Sequence, residues 1–282
     1  MSANSPVSNQ ADPELTLSKS EVGRPAKARS GAPFLEPTPG GRAERFAGAV
    51  GATHPIRVFL AAALGGYALL VGLTVALGFL LTKAILQIGG VSAWDERLNR
   101  WLVGTRTSTR VDLSWAASTL AGGIVIPILV GVLLVLFLCF RHWRLAAFSL
   151  FVICIESGTY RAASLVVHRH RPYVHRLESL PVNASYPSGH TAASVALLAG
   201  LLLVLASRIE NLALRFLLWG FAIAIPAFVI WSRMLRGMHH LTDVTAGVLV
   251  GIGALVVTVF ACRAAGAAAA QRDATATERS SS

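Results

Sequence analysis

The sequence predicts an all-α integral membrane protein with six transmembrane helices. Hydrophobic residues make up 54% of the 282-residue chain and charged residues 14%, whereas soluble domains carry about 25% charged residues. The hydrophobic residues are also grouped into long stretches. A helix needs about 20 mostly apolar residues to cross the hydrocarbon core of a bilayer, and several of these stretches approach or exceed that length.

Six such stretches follow one another along the chain. The first is longer than one crossing requires, so we expect it to tilt or to extend beyond the bilayer. The predicted spans are residues 58–86, 124–140, 145–167, 191–206, 214–231 and 244–262. Together they assign residues 57–263 to one six-span membrane domain.

The two ends of the chain differ in composition from this domain. Residues 1–56 are rich in Ser, Pro, Gly, Ala and charged residues and lack an apolar period, which is typical of a disordered tail. Residues 264–282 are rich in alanine, and we expect a short C-terminal tail or a frayed helix there.

The net charge of +11 could indicate nucleic-acid binding. We exclude nucleic acid as a partner, because the sequence predicts no soluble domain that could present a basic face. Short cytoplasmic loops of membrane proteins are enriched in Lys and Arg. Most arginine-rich loops meet this rule if both termini are cytoplasmic. Two basic segments, 169–176 and 232–243, then lie on the extracytoplasmic face and need another explanation.

Three short segments hold nearly all of the unusual polar residues. They are residues 168–172 (HRHRP), 187–190 (PSGH) and 232–243 (SRMLRGMHHLTD). Each segment lies where an odd-numbered span ends or an even-numbered span begins. Six spans therefore place all three segments on the same face, where they can meet in space.

Several residues of these segments are suited to binding a phosphoryl group. Arg171 and Arg233 can each donate two parallel hydrogen bonds to phosphate oxygens. Ser188 and Gly189 open a predicted helix, where free backbone N–H groups and the helix dipole favour an anion. No partner stands at metal-ligand spacing from the loop histidines, so we expect neither a metal nor another cofactor.

Two histidines could supply the chemistry. His239 and Asp243 are four residues apart, a spacing that places two side chains on one helix face. The carboxylate can then fix the imidazole tautomer and leave the other ring nitrogen free to attack phosphorus. His190 can protonate the leaving oxygen. His240 lacks the four-residue offset to Asp243, and we interpret it as an interfacial residue.

These segments resemble the signature motifs of the type 2 phosphatidic acid phosphatase superfamily, membrane lipid phosphate phosphatases that are related to vanadium haloperoxidases. The second motif, Pro-Ser-Gly-His, is matched in full by residues 187–190. The third motif, Ser-Arg, five residues, His, three residues, Asp, is matched in full from Ser232 to Asp243. The resemblance covers roughly residues 144–262.

The resemblance implies a role for each matched residue. His239 forms a phosphohistidine intermediate in this scheme, and His190 acts as an acid and then as a base toward water. Asp243 orients His239. The residues implied to hold the phosphate oxygens are Arg171, Ser188, Gly189 and Arg233.

The first motif departs from the family pattern. It normally reads Lys, six residues, Arg-Pro, and here Arg171 fits while Ser164 occupies the lysine position. His168, Arg169 and Arg176 lie in the following loop and could replace the lost charge. We favour Arg169, because it lies two residues from Arg171.

The resemblance implies an enzyme whose catalytic helices form a bundle. Its activity would be the metal-independent hydrolysis of a phosphate monoester or diphosphate of a lipid at the extracytoplasmic face. Polyprenyl diphosphate, phosphatidic acid and phosphatidylglycerol phosphate all fit, because the motifs do not report the shape of the pocket. Two alternatives are a phosphotransferase that uses a lipid or sugar acceptor and a non-catalytic lipid-phosphate binder.

Overall fold

The computed structural model describes residues 32–51, 54–179 and 184–281, and the regular elements in these ranges are all helices. The α-helices are α1 (Arg42–Ala49), α2 (Pro55–Lys83), α3 (Val91–Gly104), α4 (Ser108–Leu120), α5 (Val125–Cys139), α6 (Trp143–Val166), α7 (Gly189–Ala193), α8 (Gly200–Ala206), α9 (Leu212–Leu235) and α10 (Leu241–Ser281). A π-helical stretch, Ser194–Ala199, joins α7 to α8. The predicted all-α class is confirmed.

Within the described ranges, five helical segments are long and apolar enough to cross a membrane: α2 with the turn after it, α6, the α7–α8 segment, α9 and α10. Helices α4 and α5 meet the same criteria as a pair bent by 43°, and they make a sixth span if the pair crosses as one broken helix. Helix α5 has only 15 residues, fewer than the about 20 that a crossing needs. Six spans therefore require α4 to contribute to the second crossing.

Glycines allow α2 and α10 to pack closely. A Cβ atom at Gly66 would lie 2.5 Å from Cγ1 of Val257, and one at Gly253 would lie 2.4 Å from Cδ1 of Leu70. Both distances are well below van der Waals contact, so a larger residue at either glycine would push the helices apart. Small residues at helix contacts are typical of membrane proteins, in which close packing drives helix association.

The main apolar core lies between α6, the α7–α8 segment and α10. Its fully buried members include Phe148 on α6, Leu197 on the π-helical stretch and Ala254 on α10. The outer helix faces carry exposed apolar side chains, such as that of Ile223 on α9. A helix that is apolar on all sides is typical of a membrane span, and here the outer faces would contact lipid tails.

The segment before α2 folds against α10, although the sequence predicted a disordered tail up to the first span. Ala43 and Ala47 of α1 are buried in one cluster with alanines 264, 267 and 268 of α10. The two sets of alanines recur at helical spacing, so they form two narrow faces that can approach closely. The prediction for residues 1–31 falls outside the described residues.

Helix α10 continues to Ser281, where the sequence left a short tail or a frayed helix open for residues 264–282. Contact with α1 accounts for the first part of this extension, because it buries alanines on one side of the helix. From Gln271 to Ser280 the side chains are exposed.

Two helices, α3 and α4, occupy most of the connection between the first two predicted spans, residues 87–123. Trp94, Trp101 and Trp115 are exposed on their outer faces. The opposite faces bury short polar side chains, namely Asp95, Asn99, Ser114 and Ser118. Because α3 and α4 pack against α9 and the start of α10, these buried polar side chains lie next to the motif segments.

Candidate active site

The three motif segments meet at one end of the helix bundle. Helix α6 leads into Arg171, α7 begins at Gly189, α9 ends just after Arg233, and α10 begins just after His239. Arg171 and Arg233 interact electrostatically with each other and with both His190 and His239. The structure thus brings together residues that are up to 68 positions apart in the sequence.

Arg233 is the most deeply buried of the arginines at the site, with no exposed surface. Its Nη1 atom donates to Glu178 Oε2 at 2.7 Å and to Ser118 Oγ at 2.5 Å. Its Nε and Nη2 atoms have no hydrogen-bond partner among the described residues. These two nitrogens form one edge of the guanidinium group, which can donate two parallel hydrogen bonds to a phosphate.

Arg171 joins the first motif to the other two. Its Nη1 atom donates to the carbonyl oxygen of Met238 at 2.6 Å, and its Nη2 atom donates to that of Ala184 at 3.0 Å. Burial lowers the pKa of the Arg171 guanidinium, and nearby Arg233 lowers it further. Because the ordinary arginine pKa is far above neutrality, the group still carries its charge.

A backbone carbonyl orients His239. Its Nδ1 atom lies 2.7 Å from the carbonyl oxygen of Ser185. Since a carbonyl can only accept, Nδ1 carries the hydrogen and Nε2 carries the lone pair. Burial lowers the pKa of His239 well below its usual value, and Arg233 and Arg171 lower it further. The imidazole is therefore neutral near pH 7, the state in which Nε2 can act as a nucleophile.

Asp243 contacts His240 and not His239, which corrects the sequence interpretation. Its Oδ2 atom accepts from the backbone N–H of His240 at 2.9 Å and lies 3.1 Å from His240 Nδ1. Because α10 begins at Leu241, both histidines precede the helix, and the four-residue helical alignment does not apply to them. An acid in the third helical position that bonds back to the N-cap N–H is instead one half of a capping box.

Ser185 links Asp243 to His239. The Ser185 hydroxyl donates to Asp243 Oδ2 at 2.6 Å, while its carbonyl accepts from His239 Nδ1. Asp243 is fully buried and also forms an ion pair with Arg169. The carboxylate therefore fixes the backbone segment that sets the tautomer of His239, so it can orient this histidine through Ser185.

His240 is buried, although the sequence interpretation made it an interfacial residue. Its Nδ1 atom faces Asp243, and its Nε2 atom lies 3.1 Å from Glu96 Oε2. Because both ring nitrogens are bonded to carboxylates, His240 is less suited than His239 to attack phosphorus.

Ser188 does not offer its backbone N–H to a phosphate as the sequence predicted. That N–H donates to the backbone carbonyl of Asp243 at 3.1 Å. The close approach of α7 and α10 explains this bond, because a Cβ atom at Gly247 would lie 2.6 Å from the Ser188 carbonyl oxygen. Gly189 begins α7, and its N–H belongs to the first turn, whose donors have no partner within the helix.

Ser164, which replaces the motif lysine, donates its hydroxyl to the backbone carbonyl of Arg161 at 3.0 Å. The sequence favoured Arg169 as the replacement cation, but in the structure its guanidinium is bonded to carboxylates. Arg169 pairs with Asp95 at 2.8 Å and with Asp243. Two carboxylates thus neutralise its charge within the protein.

Glu178 is a site residue that the sequence analysis missed. Its carboxylate forms ion pairs with Arg233 and Arg236 and accepts from Ser118 Oγ at 2.9 Å. Burial acts to raise the pKa of Glu178, but Arg233 and the hydrogen bonds to the carboxylate outweigh it and lower the pKa to about 2. One sequence signal was present, because Glu178 is the only acidic residue between positions 157 and 209.

A cavity of about 470 Å³ opens beside Arg171. The cavity is lined by seven residues of the loop after α6, two of them arginines and two of them histidines. They are His170, Arg171, Pro172, Tyr173, Val174, His175 and Arg176. This lining suits an anionic group. In the part of the chain that the structure describes, no group of three or more His, Cys, Asp or Glu side chains is arranged to hold a metal ion.

The motif segments lie within a region that matches a known protein family. Residues 145–265 match the PAP2 superfamily. The predicted resemblance is confirmed. This PAP2 segment contains all three motifs and most of the four helical segments that carry them, whereas α3 and α4 lie outside it.

The chain is similar to two solved structures. The first is a transmembrane PAP2 type phosphatidylglycerolphosphate phosphatase from Bacillus subtilis, with a TM-score of 0.57 and 19% identity over 73% of this chain and 94% of that chain. The second is LpxE of Aquifex aeolicus, with a TM-score of 0.44 and 23% identity over 57% of this chain and 92% of that chain. No curated protein gives a significant match. The chain is thus a multi-pass membrane protein with the fold of the PAP2 phosphatases.

The lowered pKa of His239 predicts how stability depends on pH. Below the ordinary histidine pKa of about 6.5 the unfolded chain binds a proton at this residue and the folded protein does not, so stability falls as pH falls. Replacing His239 by Gln removes this dependence. We expect wild type to lose up to about 1.4 kcal/mol more than His239→Gln for each pH unit below 6.5. Thermal unfolding in detergent at pH 7.5, 6.5 and 5.5 measures the difference, and parallel losses in the two proteins would contradict a neutral His239.

Proposed function

We propose that this protein is a lipid phosphate phosphatase that hydrolyses a phosphate monoester or diphosphate of a membrane lipid through a phosphohistidine on His239. The observation that carries the proposal is the free edge of Arg233, whose Nε and Nη2 atoms are buried and lack partners among the described residues. A buried donor without a partner costs roughly 1–3 kcal/mol. A phosphate that accepts from this edge removes the cost, next to a neutral histidine.

The residues support a two-step phosphoryl transfer. Arg233, Arg171 and the first-turn N–H of Gly189 hold the phosphate oxygens and stabilise the charge of the transition state. Nε2 of His239 attacks phosphorus, and the bond from phosphorus to the lipid oxygen breaks. His190 takes up a proton when the anionic phosphate binds beside it and gives this proton to the leaving lipid oxygen. His190 then takes a proton from water, which attacks the phosphohistidine and releases inorganic phosphate. Water is the final acceptor of the phosphoryl group, so the reaction needs no other acceptor.

The position of the site supports a lipid substrate. The motif residues lie at the ends of α6 and α9 and at the starts of α7 and α10, so a headgroup bound there would be level with the bilayer surface while its acyl or prenyl chain remained in the bilayer. The arginine-rich loops support cytoplasmic termini and an extracytoplasmic site. Exposed tryptophans on α3 and α4 suit the interfacial region on that side.

Positive charge from arginines supports a reaction without a metal. We expect the detergent-purified protein to release inorganic phosphate from at least one of polyprenyl diphosphate, phosphatidic acid and phosphatidylglycerol phosphate, and to do so in excess EDTA. The measurement is phosphate release from each lipid with and without EDTA, with Arg233→Gln as the inactive reference. Activity that chelation abolishes and Mg²⁺ restores would contradict the mechanism. Repeating the assay with an added alcohol separates hydrolysis from transfer, because a phosphotransferase would form the phosphorylated alcohol.

A further inference from the structure

Two adjacent carboxylates on α3, Asp95 and Glu96, bond to the residues that surround His239. Both lie outside the PAP2 segment and outside the three motifs. We propose that Asp95 and Glu96 are positioning residues for the nucleophile, an inference that rests on the proposed function. Helix α3 thus contributes two carboxylates, outside the three motifs, that help to hold the catalytic end of the bundle in place.

Asp95 holds the start of α10. It is fully buried, and its Oδ1 atom accepts from the backbone N–H of Leu241, the first residue of that helix, at 3.0 Å. Its Oδ2 atom accepts from Thr242 Oγ1 at 2.6 Å and from Arg169 Nη2 at 2.8 Å. A negative charge at a helix N-terminus is favourable, and a buried carboxylate is tolerated only when it is paired in this way.

Glu96 holds the histidine next to the nucleophile. Its Oε2 atom lies 3.1 Å from Nε2 of His240, and its Oε1 atom accepts from the backbone N–H of Tyr173 at 2.9 Å. Tyr173 follows the Arg-Pro pair of the first motif. Glu96 therefore joins the loop that carries Arg171 to the segment that carries His239.

Two routes connect these carboxylates to the imidazole of His239. In the first, Asp95 pairs with Arg169, whose backbone carbonyl accepts from the N–H of Ser185 at 2.9 Å. The Ser185 carbonyl then fixes Nδ1 of His239. In the second route, Glu96 fixes the ring of His240, and this residue shares a peptide bond with His239. Asp243 closes the network, because it bonds to Arg169, Ser185 and His240.

A positioning role has a consequence for catalysis that a purely structural role does not have. Attack on phosphorus needs Nε2 of His239 within a few tenths of an ångström of its reactive position, and a displacement of about 1 Å can cost about 100-fold in rate. Binding of the phosphate depends on the guanidinium groups of Arg233 and Arg171, which bond to Glu178 and to the carbonyl of Met238. Loss of Asp95 or Glu96 should therefore reduce the stabilisation of the transition state and leave the affinity for the substrate unchanged.

The variants Asp95→Asn and Glu96→Gln test this inference in the full-length protein, with Asp112→Asn as the matched control. Asp112 is an exposed carboxylate on α4, and we expect its variant to behave like wild type. For each α3 variant we expect kcat to fall by about 10- to 100-fold while KM stays within about twofold. Vanadate mimics the five-coordinate transition state at the nucleophile, so its inhibition constant should rise in parallel. Inhibition by inorganic phosphate should not change.

The inhibition constants distinguish positioning from a loss of folded protein. A purely structural defect reduces the number of active molecules, so it lowers the apparent kcat but leaves vanadate affinity as in wild type, and that result would overturn the inference. If Asp95→Asn does not fold, Glu96→Gln decides, because the Glu96 side chain is at the partly open edge of the network with 14% of its surface exposed. A wild-type protein that is inactive on every lipid would contradict the proposed function instead.

Discussion

Replacing His239 by Ala should lower phosphate release by about five orders of magnitude or more, as the loss of a nucleophile does in other enzymes that form a covalent intermediate. His239 is the site histidine whose tautomer is fixed with Nε2 as the basic nitrogen. Both nitrogens of His240 are bonded to carboxylates, so His240 cannot take over the attack without breaking one of these bonds. The measurement is the rate of phosphate release at saturating lipid phosphate in detergent micelles.

Two further variants make this result specific. His240→Ala should reduce turnover by about 10- to 100-fold, because it disturbs the position of its neighbour without removing the nucleophile. His142→Ala should be neutral, since His142 precedes α6 at the end opposite to the site. Turnover of His239→Ala within tenfold of wild type would show that another group attacks the phosphorus.

Replacing Asp243 by Asn should lower kcat by up to about 10,000-fold, which is the loss when the acid that bonds directly to the histidine is changed in a serine protease triad, whereas Asp243 acts on His239 through Ser185. The carboxylate accepts from Ser185 Oγ and from the N–H of His240, and it pairs with Arg169. An amide in its place would direct an NH₂ group at one of these donors. The Ser185 carbonyl would then shift, and the tautomer of His239 would no longer be fixed.

This substitution should also destabilise the protein, because breaking a buried ion pair leaves Arg169 with one carboxylate fewer. Thermal unfolding and size-exclusion chromatography must therefore accompany the kinetic assay. Asp112→Asn changes the same atoms at an exposed position and serves as the control. An Asp243→Asn protein that folds and keeps more than a tenth of wild-type turnover would contradict the orienting role of Asp243.

Much of the architecture could be predicted from local sequence properties. Each predicted span coincides with a helix, because about 20 apolar residues in a row have few stable arrangements outside a membrane helix. The grouping of Arg171, Arg233, His190 and His239 followed from the same argument. Because successive spans cross the bilayer in opposite directions, every second connection lies on the same membrane face, independently of how the helices pack.

The contacts that orient the site could not be predicted, for two physical reasons. The pairing of Asp243 with His239 was inferred from helical spacing, and it was wrong because α10 begins after both histidines. The pairs that involve Asp95, Glu96 and Glu178 join residues 55 to 147 positions apart. Such pairs depend on how α3, α4 and the loop after α6 approach the bundle, and no local pattern reports that approach.

Trapping the covalent intermediate shows whether the phosphoryl group passes through His239. The His190→Ala variant lacks both the acid of the first step and the base that activates water, so the intermediate forms more slowly but should also persist, and a long incubation lets it accumulate. After incubation with a lipid phosphate labelled in its terminal phosphate and an alkaline quench, we expect about one label per protein that is stable in base and labile in acid. The label should persist when His240 is also changed to Ala and vanish when His239 is changed instead. Two results would contradict a phosphohistidine on His239 when the wild-type protein hydrolyses the lipid. One is a label that remains in the His190→Ala,His239→Ala variant, and the other is the absence of any label in His190→Ala.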